Sequence, residues 1–358
     1  MGAAVTPETA GTSTRPGELM AREIAEQPAV FDRILTQGLP QIRDVAAQIG
    51  AAAPRFVLLA ARGTSDHAAL YAKYLVEILL GRPTGLASPS TMTAYGARPD
   101  LRDVLFIGVS QSGGSPDLVE SLSTARECGA LTLAVTNAPQ SNLAGAAQLH
   151  IDVLAGPEQA VAATKTYTAE LLALYLLVDA LAGGDGSQAA GIAAAAAAVV
   201  ADLEPVRAVA ARLAGVERLV VTGRGYSYPT AGEAALKLME TSYVSAQAFS
   251  GADLLHGPMA MLQRDSAAIV IAPEGVAGRA IQPVLDRLLE VDADITVVGP
   301  ALAGNPRVGR LALPAGLAEP LSPLIEIIPL QLLAREISVV RGNDPDAPRG
   351  LRKVTETW

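Results

Sequence analysis

Short runs of consecutive apolar residues alternate along the chain with longer stretches in which apolar residues recur every three or four positions. The short runs predict buried β-strands at residues 56–60, 104–109, 131–135 and 149–153. The stretches with helical spacing predict α-helices over residues 66–80, 116–128 and 164–181. Strands that alternate with helices in this order predict a parallel sheet with right-handed crossover connections.

The second half of the chain repeats the first at a nearly constant offset. Arg224-Gly225-Tyr226-Ser227 stands 162 residues after Arg62-Gly63-Thr64-Ser65, and the apolar run 268–271 stands 162 residues after 106–109. A third run, 295–298, follows 132–135 by 163 positions. The fold class predicted by this repeat is α/β, with two tandem doubly wound parallel-sheet domains in the flavodoxin-like, three-layer α/β/α arrangement.

The repeat also predicts how the chain is divided. The N-terminal residues are rich in Thr, Ala, Gly and Pro, which is typical of disorder, and the alanine-rich stretch between the two copies favours a helical connector. We therefore expect a disordered lead-in at 1–18, a helical segment at 19–45, a first α/β domain at 46–184, a linker helix at 185–214, a second α/β domain at 215–340 and a C-terminal tail at 341–358.

Composition excludes several classes of function. The formal net charge of −9 argues against a nucleic-acid partner, because a nucleic-acid groove needs a basic stripe. One cysteine, Cys128, excludes an internal disulfide and a cysteine-based zinc site, and three histidines far apart in sequence indicate no metal. The most apolar stretch, 189–201, is too short to cross a bilayer. We expect a cytoplasmic protein with no membrane partner.

Two hydroxyl-rich loops follow predicted strands in the first copy, where ligands of open parallel sheets bind. The backbone N–H groups and hydroxyls of such a loop, at the positive end of a helix, form an anion cradle. Helix capping alone is the alternative, but the second copy has Ala272-Pro273-Glu274-Gly275 at the equivalent place, so we expect one phosphate site per chain. The candidate residues are Gly63, Thr64 and Ser65 in one loop and Ser110, Gln111, Ser112 and Ser115 in the other.

Candidate proton-transfer groups lie in the second copy. Glu233, Lys237 and Glu240 fall on one face of a helix predicted over residues 228–241. A solvated stripe is the alternative interpretation, but the rest of the helix is apolar and favours partial burial. His256 precedes a Gly-Pro turn, whereas His67 and His150 are interpreted as structural. Spacing alone assigns no site to Lys353.

Several motifs, taken in order, resemble those of one family, the tandem sugar isomerase (SIS) domain proteins. The resemblance is to the isomerase half of glucosamine–fructose-6-phosphate aminotransferase and to SIS-type glucosamine-6-phosphate deaminases. It covers nearly everything from residue 20 to 353. The motifs that carry it are MAREIAEQP at 20–28, the RGTS and SQSG loops, AATKT at 162–166, ALKLMETSY at 235–243, HGP at 256–258, PLQLLA at 329–334 and PRGLRK at 348–353.

The resemblance implies roles for these positions and places the tail over the active site. It implies that Glu240 is the base moving a proton between C1 and C2, that Lys353 forms a Schiff base with a ketose phosphate, and that His256 opens the sugar ring in the neighbouring subunit. The last role implies a homodimer that shares its site. Ser65, Ser110, Gln111, Ser112 and Ser115 would hold the sugar phosphate, and Lys237, Glu233, Glu158 and Ala163 would line the sugar pocket.

This chemistry needs no cofactor, because a carboxylate and a lysine amine supply the proton transfer and the iminium. The family's aminotransferases carry an N-terminal glutaminase domain with a cysteine nucleophile, whereas about 20 residues precede the first motif here. The sequence therefore favours a deaminase that converts glucosamine 6-phosphate to fructose 6-phosphate and ammonia. Two alternatives stay open: a lyase that eliminates the C3 substituent of an N-acetylhexosamine 6-phosphate, and a non-catalytic phosphosugar sensor.

Overall fold

The computed structural model describes residues 15–353, so most of the predicted lead-in and the last five residues of the predicted tail lie outside the described part of the chain. The described part of the chain begins with three α-helices, which are α1 (Glu18–Ala25), α2 (Gln27–Arg33) and α3 (Leu39–Ala52). A π-helical turn, Ile34–Gly38, joins α2 to α3.

The first half of the chain then forms a five-stranded parallel sheet with the order β2-β1-β3-β4-β5. Its strands are β1 (Phe56–Ala60), β2 (Thr84–Leu86), β3 (Val104–Val109), β4 (Leu131–Thr136) and β5 (Leu149–Asp152). In register, Leu58 lies opposite Phe106, which lies opposite Thr132. The helices are α4 (Thr64–Leu79), α5 (Pro89–Thr93), α6 (Pro116–Glu127), α7 (Asn142–Ala146) and α8 (Lys165–Leu181).

The segment predicted as one linker helix over 185–214 contains two α-helices, so that prediction is wrong. A 3-10 turn, Ser187–Ala189, is followed by α9 (Ile192–Ala201) and α10 (Glu204–Leu213). Asp202 leaves the helical region, with φ −103° and ψ 85°, and Pro205 lies in the first turn of α10, where a missing N–H costs nothing.

Within residues 15–353 no single helix has the length and hydropathy to cross a membrane. The two segments Ser187–Ala201 and Glu204–Leu213 reach those criteria only when taken together, and they are bent by 56°.

The second half forms another five-stranded parallel sheet, with the order β10-β9-β8-β6-β7. Numbered within each half, both sheets have the order 2-1-3-4-5, which confirms the predicted repeat of a doubly wound fold. The elements are β6 (Arg218–Gly223), α11 (Ser227–Ser242), β7 (Ser245–Ser250), α12 (Gly251–Leu255), β8 (Ala267–Ile271), α13 (Val276–Ala280), α14 (Gln282–Glu290), β9 (Asp294–Val298), β10 (Gly309–Leu311) and α15 (Ser322–Val340). Two 3-10 turns, Pro258–Met261 and Glu319–Leu321, complete the half.

One hydrophobic core is shared by both halves. Alternate residues of each sheet, such as Leu105 in β3 and Ile269 in β8, face this core together with the apolar sides of α8 and α15. The opposite faces, with Phe106 and Val270, pack in two smaller clusters. Strands buried on both faces need apolar residues at every position, which is why they read as continuous runs.

Contacts between α4 and α11 cross the boundary between the halves. Thr64, at the start of α4, donates a hydrogen bond to Glu233 of α11, with 3.1 Å between the oxygens. This contact places the carboxyl edge of the first sheet beside a helix of the second half.

Candidate functional site

A cavity of about 380 Å³ opens at the carboxyl edge of the first sheet. Its wall is formed by the loops that follow β1, β3 and β5, by the helices α6, α8 and α11, and by the end of the C-terminal tail. Most of the residues predicted from the sequence lie in it. The lining comprises Arg62, Gly63, Thr64, Ser65, Ser110, Gln111, Ser112, Ser115, Leu118, Val161, Ala163, Thr166, Glu170, Glu240, Leu351, Arg352 and Lys353.

The loop after β3 folds back on itself through its serines. The Gly113 N–H donates to Ser110 Oγ at 3.1 Å, and the Gly114 N–H donates to Ser112 Oγ at 3.3 Å. Gly113 has φ 60°, and a Cβ there would collide with the side chain of Ser141. Ser115 takes the N-cap position of α6, as predicted, but its hydroxyl accepts no capping hydrogen bond and faces the cavity.

The loop after β1 carries one positive charge of the wall, in addition to those of Arg352 and Lys353 on the tail. Gly63 has φ 55° and precedes α4, which begins at Thr64, two residues earlier than predicted. The Arg62 guanidinium lies 2.7 Å from the carboxylate of Asp117, in the first turn of α6. Asp117 is 2% exposed and Arg62 is 45% exposed, so a buried carboxylate holds a guanidinium at the cavity. The sequence analysis assigned neither residue to the site.

Glu170 is a third residue of the site that was not predicted from the sequence. It lies on α8, is fully buried, and its Oε1 accepts a hydrogen bond from Ser65 at 2.9 Å. Burial raises the pKa of this carboxyl well above its usual range, and the charges of Glu158 and Glu233 act in the same direction, against the Ser65 hydrogen bond. An acid in the middle of an otherwise apolar helix was the signal that could have found it.

The predicted face of α11 forms a buried ionic cluster. The Lys237 ammonium lies 3.3 Å from Glu233 and 2.5 Å from Glu240, and it donates to Thr64 Oγ1 at 3.0 Å. Burial alone would lower the pKa of Lys237, but the two carboxylates raise it above its usual value. Glu240 reaches the cavity, whereas Glu233 and Lys237 lie behind it.

His67, interpreted as structural from the sequence, extends this cluster. Its Nδ1 lies 2.8 Å from Glu233 Oε2, and its side chain is 23% exposed. The carboxylate of Glu233 is thus shared between His67, Thr64 and Lys237.

The tail brings Lys353 to the opposite side of the cavity. Its ammonium lies 3.0 Å from Glu158 and donates to the carbonyl of Ala160 at 2.7 Å. Burial would raise the pKa of Glu158, but Lys353, hydrogen bonds from Thr166 and the Thr164 N–H hold it below its usual value. Glu158 therefore touches the tail rather than the open cavity.

The N-terminal helices fix the loop that carries Glu158 and Ala163. Glu23 of α1 accepts hydrogen bonds from the backbone N–H groups of Gln159 and Ala160. Lys165, at the start of α8, forms an ion pair with Glu26. The segment before the first sheet is thus part of the scaffold of the site.

His256 lies away from the cavity, unlike the other predicted site residues, which line it or pair with groups that line it. It follows α12, is exposed, and is absent from the cavity wall.

At the carboxyl edge of the second sheet, the place equivalent to the cavity is filled by a side chain of the protein itself. The carboxylate of Glu319 accepts hydrogen bonds from the N–H groups of Val276 at 2.9 Å and Ala277 at 2.7 Å. Glu319 stands seven residues before Glu326, as Ala163 stands seven residues before Glu170. A carboxylate thus lies where the first half has a methyl group and an open cavity. Among residues 15–353 no group of three His, Cys, Asp or Glu side chains is arranged to hold a metal ion.

Comparison with known proteins relates this architecture to one family. A family model described as the SIS domain matches residues 53–180 and 212–299. The glutamine–fructose-6-phosphate aminotransferase [isomerizing] of Pseudomonas putida is 33% identical over 364 aligned residues, and that of Gloeobacter violaceus is 36% identical over 356. Each alignment covers 93% of this chain, and the chain spans only 58% of the length of either relative.

Two solved structures have the same fold. A candidate phosphosugar isomerase from Silicibacter pomeroyi DSS-3 is 33% identical with a TM-score of 0.85, covering 92% of this chain and 99% of that one. The C-terminal domain of glucosamine-fructose-6-phosphate aminotransferase from Francisella tularensis is 25% identical with a TM-score of 0.81, covering 92% and 98%.

Proposed function

This chain belongs to the SIS domain family, and we propose that it converts glucosamine 6-phosphate to fructose 6-phosphate and ammonia. One observation carries the proposal: a hydroxyl-rich anion cradle from the first half and a carboxylate–lysine cluster from the second half meet at one cavity. An anion at one end of the cavity would hold a sugar so that its first carbons lie against the acid–base groups.

The cradle suits a phosphate ester. Ser112 and Ser115 face the cavity at the N-terminus of α6, where the first backbone N–H groups of a helix have no intrahelical acceptor. Arg62 adds a guanidinium, which matches the geometry of phosphate oxygens. Hydroxyls, N–H groups and one guanidinium together favour a phosphate monoester over a neutral sugar.

Glu240 suits the proton transfer. Its carboxylate faces the cavity, and the Lys237 ammonium at 2.5 Å fixes its position. Moving a carbonyl between C1 and C2 requires a base that removes the proton from C2 and returns it to C1. The open-chain amino aldose then becomes the 2-imine of the ketose phosphate, and water hydrolyses this imine to the ketone and ammonia.

Lys353 suits carbonyl chemistry on the same carbons. Its amine lies on the tail that lines the cavity, within reach of a sugar held by the cradle. Condensation of the amine with the ketone releases water and gives an iminium, which acidifies the neighbouring C–H bonds. We propose that Lys353 acts in this way in the direction that starts from the ketose phosphate.

Ring opening is proposed for His256 of the partner subunit. The exposed position of His256 on its own chain supports a role at a neighbouring copy. A homodimer would complete the site.

The test is turnover of glucosamine 6-phosphate by the purified protein, with ammonia and fructose 6-phosphate both quantified. Equimolar release of the two products is expected. Glu240→Gln should reduce the rate by roughly 10²–10⁴-fold, as is typical when a general base is removed, and should retain phosphosugar binding. Glu120→Gln, which changes an exposed carboxylate on α6, is the matched control and should keep the wild-type rate.

Absence of ammonia release from glucosamine 6-phosphate would contradict the proposal. An ultraviolet-absorbing enol product from N-acetylglucosamine 6-phosphate would instead indicate elimination at C3. Tight phosphosugar binding without any turnover would indicate a sensor.

A further inference from the structure

Glu170 has an unusual position for a carboxylic acid. It lines the cavity proposed to hold a phosphate, yet it is fully buried. Its Oε1 accepts the hydrogen bond from Ser65, and its Oε2 has no hydrogen-bond partner among the described residues. An ionised carboxylate at this place would be an uncompensated negative charge beside the ligand.

The charges around Glu170 come from the loop before α8, from α11, from the loop after β1 and from the tail. Two carboxylates, those of Glu158 and Glu233, raise its pKa, as burial does. The charged groups that share the cavity or face Glu170 are Glu158 and Glu233, then Glu240 on α11, Arg62 in the loop after β1, and Arg352 and Lys353 on the tail.

A count of hydrogen atoms shows why the protonation state of Glu170 matters. A serine hydroxyl has a single hydrogen to donate. If Glu170 is ionised, Ser65 gives that hydrogen to Glu170 and presents only lone pairs to a phosphate oxygen. If Glu170 carries a proton, it can donate to Ser65 Oγ, and the Ser65 hydrogen becomes available to the anion.

We propose that Glu170 is a positioning residue of the anion site that carries a proton in the ligand complex and donates a hydrogen bond to Ser65. The proton comes from solvent and stays on Glu170, and no covalent bond changes. Anion binding and protonation of Glu170 are then linked, so each favours the other. This inference rests on the proposed function, since it needs an anion at the Ser65 end of the cavity.

The second half of the chain contains a serine–glutamate pair equivalent to Ser65 and Glu170, which can be used for comparison. In the second half, Ser227 donates to Glu326 at 2.8 Å, just as Ser65 donates to Glu170. Glu326 is also fully buried on the equivalent helix, but it lies outside the wall of the cavity. If such pairs had only a structural role, replacing either glutamate would have the same effect on the pH dependence of anion binding.

The experiment measures sulfate binding by calorimetry between pH 6 and pH 9, with the wild type, Glu170→Gln and Glu326→Gln. Sulfate keeps two negative charges throughout this range, so only groups of the protein change protonation. A glutamine at 170 can donate to Ser65 at every pH. The ratio of wild-type to Glu170→Gln affinity should therefore fall as the pH rises, by up to about tenfold per pH unit above the pKa of the free carboxyl.

Two further readouts exclude a trivial effect of the substitution. Calorimetry in buffers of different ionisation enthalpy should show proton uptake on sulfate binding by the wild type and by Glu326→Gln, and less by Glu170→Gln. In a Ser65→Ala background, the substitution Glu170→Gln should change the pH dependence less, because the part of the effect that acts through the Ser65 hydroxyl is lost and only the charge of Glu170 remains.

Parallel pH profiles for the wild type and Glu170→Gln would overturn the inference while leaving the anion site intact. The same change in Glu326→Gln as in Glu170→Gln would also overturn it. Failure of the wild type and both variants to bind sulfate would overturn the proposed anion site and this inference together.

Discussion

The guanidinium of Arg62 supplies a positive charge to the cavity wall, and Asp117 fixes its position. The two groups are 2.7 Å apart, and Asp117 is buried in the first turn of α6. A guanidinium has five N–H donors, so the contact with Asp117 leaves others for a phosphate. Without Arg62, the Asp117 carboxylate would lie beside the anion cradle and oppose anion binding.

Replacing Arg62 by alanine should weaken phosphosugar binding by about tenfold, the low end for a charge-assisted hydrogen bond, because Arg62 is half exposed. Titration of fructose 6-phosphate measures the effect. Arg102→Ala, at an exposed pair with Asp100, should bind like the wild type. If Arg62→Ala and the wild type bind fructose 6-phosphate with equal affinity, the Asp117 carboxylate neutralises the Arg62 guanidinium, which then contributes nothing to binding.

Position after a strand predicted the serine-rich loops of the cavity, whereas Arg62 and Glu170 were not predicted, and Glu158 and Lys353 were named only through the family resemblance. Ser65 and Ser110 were predictable because the carboxyl ends of parallel strands meet at one edge. Glu170 lies within an apolar helix, and Glu158 meets Lys353 across 195 positions of the chain. No local pattern encodes such a contact.

At the scale of elements, the strands inside each sheet were predicted, whereas of the four edge strands only β5 was predicted. The missed strands, β2, β7 and β10, each end a sheet. An edge strand has one neighbour and partial solvent exposure, so β7, with the sequence SAQAFS, needs no continuous apolar run. The central strands need one, and their sequence therefore reveals them.

The helices α8 and α15 each carry a buried glutamate paired with a serine of the facing helix. Burial raises the pKa of Glu326 to about 7, against the hydroxyls of Ser322 and Ser227 that donate to it. The folded chain therefore holds this proton more tightly than the unfolded chain, whose carboxyl has its ordinary pKa near 4.5. Folding is favoured most at low pH, and this advantage is lost as the pH rises from about 4.5 to 7.

Glu326→Gln removes this titration. The free energy of unfolding of the wild type, relative to the variant, should decrease by up to roughly 3 kcal/mol between pH 4.5 and 8, because one pKa unit corresponds to about 1.4 kcal/mol. Urea denaturation at pH 4.5, 6 and 8 measures the difference, and groups common to both proteins cancel. Glu290→Gln, on the surface of α14, is the control. A difference that does not depend on pH would mean that Glu326 stays ionised.

At the scale of the whole molecule, the two halves keep one fold and differ in what occupies its carboxyl edge. The first half has an open cavity bordered by serines, whereas Glu319 binds the backbone N–H groups of Val276 and Ala277 in the second. The second half contributes Glu240 to the cavity of the first. The two halves thus contribute to one cavity, the first with its serine-rich loops and the second with Glu240.

The proposed contribution of His256 from a partner subunit can be tested by complementation. Each proposed site takes Glu240 from one subunit and His256 from the other, so Glu240→Gln and His256→Ala damage contributions of different subunits. Mixing the two inactive homodimers under conditions of subunit exchange should restore about a quarter of the wild-type activity, because half the dimers become mixed and each has one intact site. No recovery, with exchange verified by mass spectrometry, would mean that His256 does not act at the site of the partner subunit.

A crystal structure of the Glu240→Gln variant with bound glucosamine 6-phosphate would test the proposed site most directly. We expect the phosphate within hydrogen-bond distance of Ser65 and the Ser110–Ser115 loop, with C1 and C2 of the sugar against residue 240. A phosphate bound at the Pro273–Glu274 loop of the second half, or a sugar whose C1 and C2 point away from residue 240, would contradict it.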